Sequence, residues 1–420
     1  MKKKCALLCV LVLLMLLLSG CFAKVPPHTP SSEHPAALDE TEPVQPNAAD
    51  TTTYTAPKIF SRSAQANLNP VPADNGGYYD LSNGSNLIQY IDETGAQMIL
   101  CGQGGCTHSD STCPAWYQNI ARFAARNGRW YVVTEDKKLG GTVELLCVDP
   151  ASGKSTSLCQ WATSEDCILT MESFLCTDQA VACSLKHSNL QEGTDSGTIE
   201  CITLEDGKKK TIRTIQNGET VRLMGAVSAG LVLESRKLEE VPMEFEAYWQ
   251  IHPNATEDEY AAYYLEAVRQ NTRTVLELVD LDGSILDTIA SDAEGYVPPV
   301  DGNICWNEMV IYQSGNGLYC YDSSTQEAEP METKGELFNY FIFDGRVWQV
   351  FRRDDAYRYV LTDVNTGKTT ELATDRIPLG IYAETDDTFL AVAANGIAAI
   401  SKQDFYREDY DKAVVLVPFG

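Results

Sequence analysis

The chain has 420 residues, 44% of them hydrophobic, and a formal net charge of −27 at pH 7. That balance excludes nucleic acid as a partner and electrostatic docking on anionic lipid, and its first physical effect is solubility. The length allows a sizeable core, yet exceeds one simple compact domain unless the domain is built from repeats.

The first element is a leader. Lys2, Lys3 and Lys4 precede an apolar run from Cys5 to Leu18. The run is too short for a membrane-crossing helix of about 20 residues and suits the h-region of a signal peptide. Leu18-Ser19-Gly20-Cys21 follows: an aliphatic residue, two small ones, then cysteine. In this pattern, the bacterial lipobox, a diacylglycerol is attached to the cysteine thiol and the chain is cut just before it. Residues 1–20 are therefore expected to be removed, leaving Cys21 lipidated on the outer face of the cell membrane. Two acyl chains at about 0.8 kcal/mol per buried methylene give stable anchoring. Loss of the three leader lysines takes the charge from −27 to −30.

Residues 21–73 are rich in Pro, Ser, Thr, Asp and Glu and poor in large apolar side chains. Such a stretch cannot bury enough surface to offset its ordering entropy and reads as a disordered tether. Its reach is about 40 Å by the flexible-chain relation.

From residue 74 onward one grammar recurs. A short turn is followed by an aromatic or aliphatic strand, a variable hairpin, a second strand, an Asp-initiated turn closed by Gly, and an apolar pair. "NGRWYVVTEDKKLGGTVELLCVDPASGKSTSL" from Asn127 and "DGRVWQVFRRDDAYRYVLTDVNTGKTTEL" from Asp344 are the clearest copies. Weaker copies open at Asn75, Gln179, Ala229 (resuming at Thr272), Asn307 and Thr385. In each turn the Asp side chain initiates the reversal and Gly takes the positive φ. Regular short strands at a period of roughly 40–50 residues predict an all-β fold, a β-propeller with about four strands per blade. Seven blades are expected, with six or eight as alternatives because the end units are degenerate.

One insertion, at about 239–272, interrupts this grammar. Thr256 with Glu259 forms a capping box, and Tyr260, Tyr263, Tyr264 and Ala267 recur at helical spacing. The tyrosine stripe either packs against a neighbouring blade or offers a binding surface.

The chain carries 14 cysteines. Cys5 and Cys9 leave with the leader and Cys21 takes lipid, so the remainder is odd and cannot pair completely within one chain. Cys147, Cys159, Cys176, Cys183, Cys201, Cys305 and Cys320 lie mostly in apolar strand patterns, where a free thiol behaves as a small hydrophobe. So many thiols outside the cell fit an anaerobic habitat.

Cys101-x4-Cys106-x-His108-x4-Cys113 differs, lying among Gly, Ser, Thr and Asp outside any strand pattern. Three thiols and an imidazole are the donor set of a closed, structural zinc site. A disulfide of Cys113 with Cys101 or Cys106 is the competing reading, and a plain decorated turn is the third. No orienting acid or Gly-flanked nucleophile turn accompanies the cluster, which argues against a catalytic Cys–His dyad.

The residues Leu100, Cys101, Cys106, His108, Cys113, Ala115, Tyr117, Asn127, Gly128 and Tyr131 resemble the N-terminal signature of a group of lipoproteins from clostridia and related gut Firmicutes. That group is similar to TolB-like and other surface propellers. The resemblance implies a lipid-anchored propeller on a Gram-positive anaerobe and carries no assigned activity. Gly102, Gln103, Gly104 and Gly105 depart from the polar or Pro-Asp segment usual in that group, so loose backbone is expected there.

Three functions remain open at this point. The first is a surface-anchored binding or scaffold propeller for a protein, peptide or glycan. The second is an envelope assembly factor of TolB-like type, and the third a hydrolase or lyase acting on polysaccharide. The acidic pairs Glu239-Glu240, Asp354-Asp355 and Asp386-Asp387 sit at turn positions, where solvation explains them, and no catalytic residues stand out.

Overall fold

Asn127 and Gly128 both take positive φ, 50° and 66°, as do Asp344 and Gly345 at 54° and 61°. This is the two-residue turn whose twist matches that of the strands it joins. In the computed structural model, residues 71–419 are described apart from 74–76, 82–86, 93, 102–103, 178–179, 300–303, 334, 354–355 and 374–376. The expected leader, the lipidated Cys21 and nearly all of the tether lie outside the described residues.

Seven antiparallel sheets follow one another along the chain. Blade 1 is β1 (Val71–Pro72), β2 (Tyr78–Asp80), β3 (Gln89–Ile91) and β4 (Gln97–Ile99). Blade 2 is β5 (Ile120–Arg126), β6 (Arg129–Glu135), β7 (Thr142–Asp149) and β8 (Lys154–Ala162). Blade 3 is β9 (Cys167–Cys176), β10 (Ala180–Asn189), β11 (Thr194–Thr203) and β12 (Lys209–Ile215). Blade 4 is β13 (Glu219–Val227), β14 (Gly230–Leu238), β15 (Thr272–Val279) and β16 (Ile285–Ser291). Blade 5 is β17 (Tyr296–Val297), β18 (Cys305–Trp306), β19 (Met309–Ser314), β20 (Gly317–Asp322) and β21 (Glu327–Met331). Blade 6 is β22 (Leu337–Phe343), β23 (Arg346–Arg353), β24 (Ala356–Asp363) and β25 (Thr369–Glu371). Blade 7 is β26 (Gly380–Glu384), β27 (Thr388–Ala393), β28 (Gly396–Ser401) and β29 (Val414–Pro418). The expected all-β propeller of seven blades is what forms.

The sequence units are out of phase with the blades by one strand. Each unit opens at the turn between the first and second strands, so it covers strands two to four of a blade. The first strand of every blade lies outside these units. The reason is burial: second strands pack on both faces and read as solid apolar runs, such as Trp130 to Val133 in β6. First strands such as β13 carry polar residues on one side. Outer strands are exposed and bear Lys, Thr and Glu, and Pro330 in β21, which discourages pairing with another chain.

Each blade packs on the next through apolar side chains. Trp130 meets Tyr79 edge-on at 5.4 Å between blades 2 and 1. Trp348 plays the same part between blades 6 and 7, with Phe389 at 6.2 Å and Phe405 at 5.4 Å. Burial of one such side chain is worth about 1.5–3 kcal/mol. Buried carboxylates tie the blades as well: Met171 N–H donates to Glu135 at 2.7 Å, and Tyr296 donates its hydroxyl proton to Glu234 at 2.9 Å.

Among the described residues, no strand is shared between the first and last blades. The seam is made by side chains. Tyr78, Ile91, Leu390, Ile397 and Leu416 form its apolar core. The Tyr78 hydroxyl lies 2.9 Å from Thr388 Oγ1, and Gln97 Nε2 donates to Leu416 O at 3.2 Å.

Alternating strand direction sorts the connections onto two faces. Links between strands one and two, and three and four, share one face. The two–three links and the crossings between blades share the other. The first face is mostly tight turns, of which Asp149, Asp280 and Asp363 are capped by their own side chains as expected. A short helix there, α3 (Lys402–Tyr406), was not anticipated; the other helices follow.

The second face carries the larger excursions. The blade 4 insertion holds α1 (Phe245–Ile251) and α2 (Glu257–Asn271). The Thr256–Glu259 capping box forms as the sequence required. The preceding helix α1 had not been foreseen. It explains the tyrosine stripe: Tyr260 and Tyr263 pack on Phe245 and Tyr248 at 4.7–5.3 Å. The stripe's partner is thus the companion helix, and neither helix has a buried residue.

Candidate metal centre

The crossing from β4 to β5 occupies 100–119, whereas later crossings take 163–166, 216–218, 292–295, 332–336 and 372–379. Returning from an outer strand to the next inner one spans three strand spacings, about 14 Å. Four or five extended residues cover that distance at ~3.3 Å each. The first crossing is therefore far longer than the ring requires, and it is this loop that carries the Cys/His cluster.

Side-chain hydrogen bonds give the loop its local turns. Asp110 Oδ1 accepts from Thr112 N–H at 3.0 Å and from its hydroxyl at 2.7 Å. Those donors hold the Asp110 carboxyl below its usual range. His108 takes a positive φ of 53°, which folds the chain back toward Cys106. The loop is then sewn to blade 1: Ile88 N–H donates to Ala115 O at 2.8 Å, and Leu87 bridges Trp116. Leu87, Cys113 and Ala115 are buried together, with Ile99, Cys101, Cys106 and Trp116 around them. On the other side Pro114 lies against Gly153 of blade 2, where any added Cβ would come within 2.3 Å of the proline ring.

This folding brings all four sequence-identified residues into one group. The donor atoms of Cys101, Cys106, His108 and Cys113 lie within 4.8 Å of one another. His108 Nδ1 is 3.4 Å from Cys113 Sγ. None of the cysteines is in a disulfide. Cys113 is buried, and the other three are half-buried. Two backbone amides point at sulfur: His108 N–H at Cys106 Sγ and Ala115 N–H at Cys113 Sγ. In each case the donor stands two residues after its cysteine.

The electrostatics differ between the two thiols. The His108 amide, helped by the neighbouring thiols, holds Cys106 below the ordinary thiol range. Burial pushes Cys113 up to about 12, against the pull of the Ala115 amide. Burial also raises the Tyr117 hydroxyl to about 12, with Cys113 adding to the effect. A shielded thiol raised in this way is the opposite of an activated nucleophile. The His108–Cys113 contact is part of a four-donor group of the kind that binds a metal.

The supporting residues were not legible in the sequence. Leu87 and Pro114 carry no chemical signal, and Ala115 was marked only by the resemblance; their positions around the cysteines reveal their part. Gly102 and Gln103 lie outside the described residues, and Gly104 has open space around it.

The acidic pairs do not converge. Glu239 lies on the insertion side of blade 4, 3.8 Å from Arg273. Asp386 and Asp387 lie in the one–two turn of blade 7, on the opposite face. Asp354 and Asp355 fall outside the described residues. The described inner strands carry Glu172, Glu219 and Glu384, and the last two are bound by Arg213 and Lys402 at 2.7 and 2.9 Å.

Fold and site together define a seven-bladed β-propeller with a Cys/His cluster on its first crossing. No protein-family model matches the chain, and no curated protein does. Solved propellers are similar in shape. The β-propeller domain of the Trilobed protease from Pyrococcus furiosus shares 10% identity over 82% of this chain and 95% of that one, TM-score 0.44. An oligogalacturonate lyase from Vibrio parahaemolyticus shares 9% over 80% and 88%, TM-score 0.45. A prolyl endopeptidase shares 13% over 67% of this chain, TM-score 0.39, and the match spans 40% of its length. Among the described residues no helix is long and apolar enough to cross a membrane.

Proposed function

We propose that the protein is a lipoprotein, anchored through Cys21 to the outer face of a Gram-positive cell membrane, whose propeller binds a protein, peptide or glycan partner. One observation carries the reading: two large excursions, the 100–119 crossing and the α1–α2 insertion, both leave the ring at one face, while the other is mostly short turns. The α1–α2 insertion is not needed to close the ring, and the crossing is far longer than the span it bridges. Of the described inner-strand carboxylates, Glu219 and Glu384 are held by Arg213 and Lys402, which gives the hydrolase or lyase alternative less support than the binding reading. The TolB-like assembly reading shares the same face and differs only in its partner. The Cys/His cluster belongs to the scaffold, with zinc as the ion its donors suit.

The test uses the detergent-solubilised, tagged protein as bait for the surface proteins and glycans of its own cells. Alongside it runs a variant in which 239–271 is replaced by Asn-Gly, a turn that closes a strand pair unaided. A partner retained by the native chain and lost by the variant supports the reading. Retention of nothing, or equal retention by both, overturns it. Detergent-phase partitioning that disappears in Cys21→Ser checks the anchor.

A further inference from the structure

We infer that one zinc ion, held by the thiolates of Cys101, Cys106 and Cys113 and by His108 Nδ1, locks blade 1 into the ring, whose first and last blades share no strand among the described residues. The inference rests on the zinc reading of the cluster and adds what the ion does.

The geometry suits the ion. Zn–S bonds of about 2.3 Å and Zn–N bonds of about 2.0 Å set tetrahedral edges of roughly 3.8 Å between sulfurs and 3.5 Å between sulfur and nitrogen. The His108 Nδ1–Cys113 Sγ separation is 3.4 Å, and no donor pair exceeds 4.8 Å. Small movements of half-buried side chains close the remaining gap. Soft thiolates in a tetrahedral set with no vacant protein-facing position select zinc over the harder cations.

The ring supplies the need. Strands β1 to β4 have two or three residues each, while those of blade 3 run to between seven and ten. Among the described residues blade 1 has little ladder of its own, and it borders the seam, where side chains such as Tyr78, Ile91 and Gln97 meet blade 7. The metal loop grips this blade on its other side. Ala115 receives the Ile88 amide, Leu87 packs on Cys113, and Pro114 bears on blade 2. A metal that draws Cys101, at the end of β4, to Cys113, beside Leu87, fixes both ends of blade 1's outer hairpin to the entrance of blade 2. Coordination thereby holds blade 1 against blade 2, on the side away from the seam.

The experiment is hydrogen exchange on the purified full chain, with metal content measured before and after chelation under reducing conditions. One zinc per chain is expected, with cobalt substitution giving the visible bands of a tetrahedral thiolate site. Chelation should raise exchange roughly tenfold or more in 78–99 and in 380–392 across the seam, with blades 3 to 5 unchanged. Cys106→Ser, a half-buried position, should reproduce the pattern without chelator, and His108→Cys, which keeps four donors, should restore protection. Absence of bound metal with all thiols titratable overturns the zinc reading and this inference together. Zinc bound, with exchange in blade 1 unchanged on its removal, overturns the locking role alone. A rise spread evenly over all seven blades overturns it too.

Discussion

Two excursions leave the same face of this propeller and hold their shape by opposite means. The α1–α2 insertion is a small domain in miniature. It has a capping box, an aromatic cluster of its own, and both ends fixed where Leu238 pairs with Thr272. The 100–119 crossing keeps its apolar side chains at its ends, in Leu100 and in Cys113 to Tyr117, and among the described residues it holds no helix or named strand. Its order comes from Asx turns, two amide–sulfur bonds and the meeting of four donors. A segment with its own aromatic cluster can organise itself, whereas one whose middle is Gly, Ser, Thr and Asp needs a cross-link. Removing the insertion therefore leaves the ring intact, while loosening the crossing reaches into blade 1.

Substitutions can break this contrast. The largest expected effect is on the crossing. Gly153→Ala places a Cβ 2.3 Å from Pro114 at a φ of +66°. Left-handed backbone at a non-glycine residue and the clash together are expected to cost about 2–4 kcal/mol. Denaturant unfolding of the ring reads this loss, and an unchanged midpoint would show that the crossing does not bear on blade 2. Thr256→Ala should cost about 1 kcal/mol of helix stability. The far-UV helical signal should fall while the unfolding midpoint of the ring stays in place. A matching loss of ring stability would refute the independence of the insertion.

The smallest effect is one of pH. The Thr256 amide and hydroxyl hold Glu259 below the ordinary carboxylate range. A carboxyl depressed in the folded state adds stability above its unfolded pKa and loses it as pH falls through the folded value. The helical signal should therefore decline below about pH 4.5, the unfolded range for glutamate. The Glu259→Gln variant should show a flatter profile. An identical profile in both would place the acid response elsewhere.

How much of this was legible beforehand follows from the range of each interaction. Asn127-Gly128 and Asp344-Gly345 form their turns from two residues, and Thr256 caps its helix from four. Such chemistry is complete within a few positions, so the turns, the second strands, the seven units and α2 were readable. The four donors were identified as a group for the same reason, being close in the chain. The inner strands were not readable, because a strand like β13 gains its identity from the blades on either side. Helix α1 was missed because its aromatic residues acquire a helical partner only once Tyr260 and Tyr263 are in place.

By itself the sequence determined the local grammar of a seven-unit all-β chain and put three thiols and an imidazole within one short loop. Only the tertiary structure decided the phase of the blades, the closure between Tyr78 and Thr388 without a shared strand, and the inward convergence of Cys101, Cys106, His108 and Cys113. It alone placed Leu87, Ala115 and Gly153 around that cluster. The physical reason is separation along the chain: turns and caps are set by neighbours a few residues away, whereas ring closure and donor convergence depend on surfaces that exist only after every blade has packed on the next.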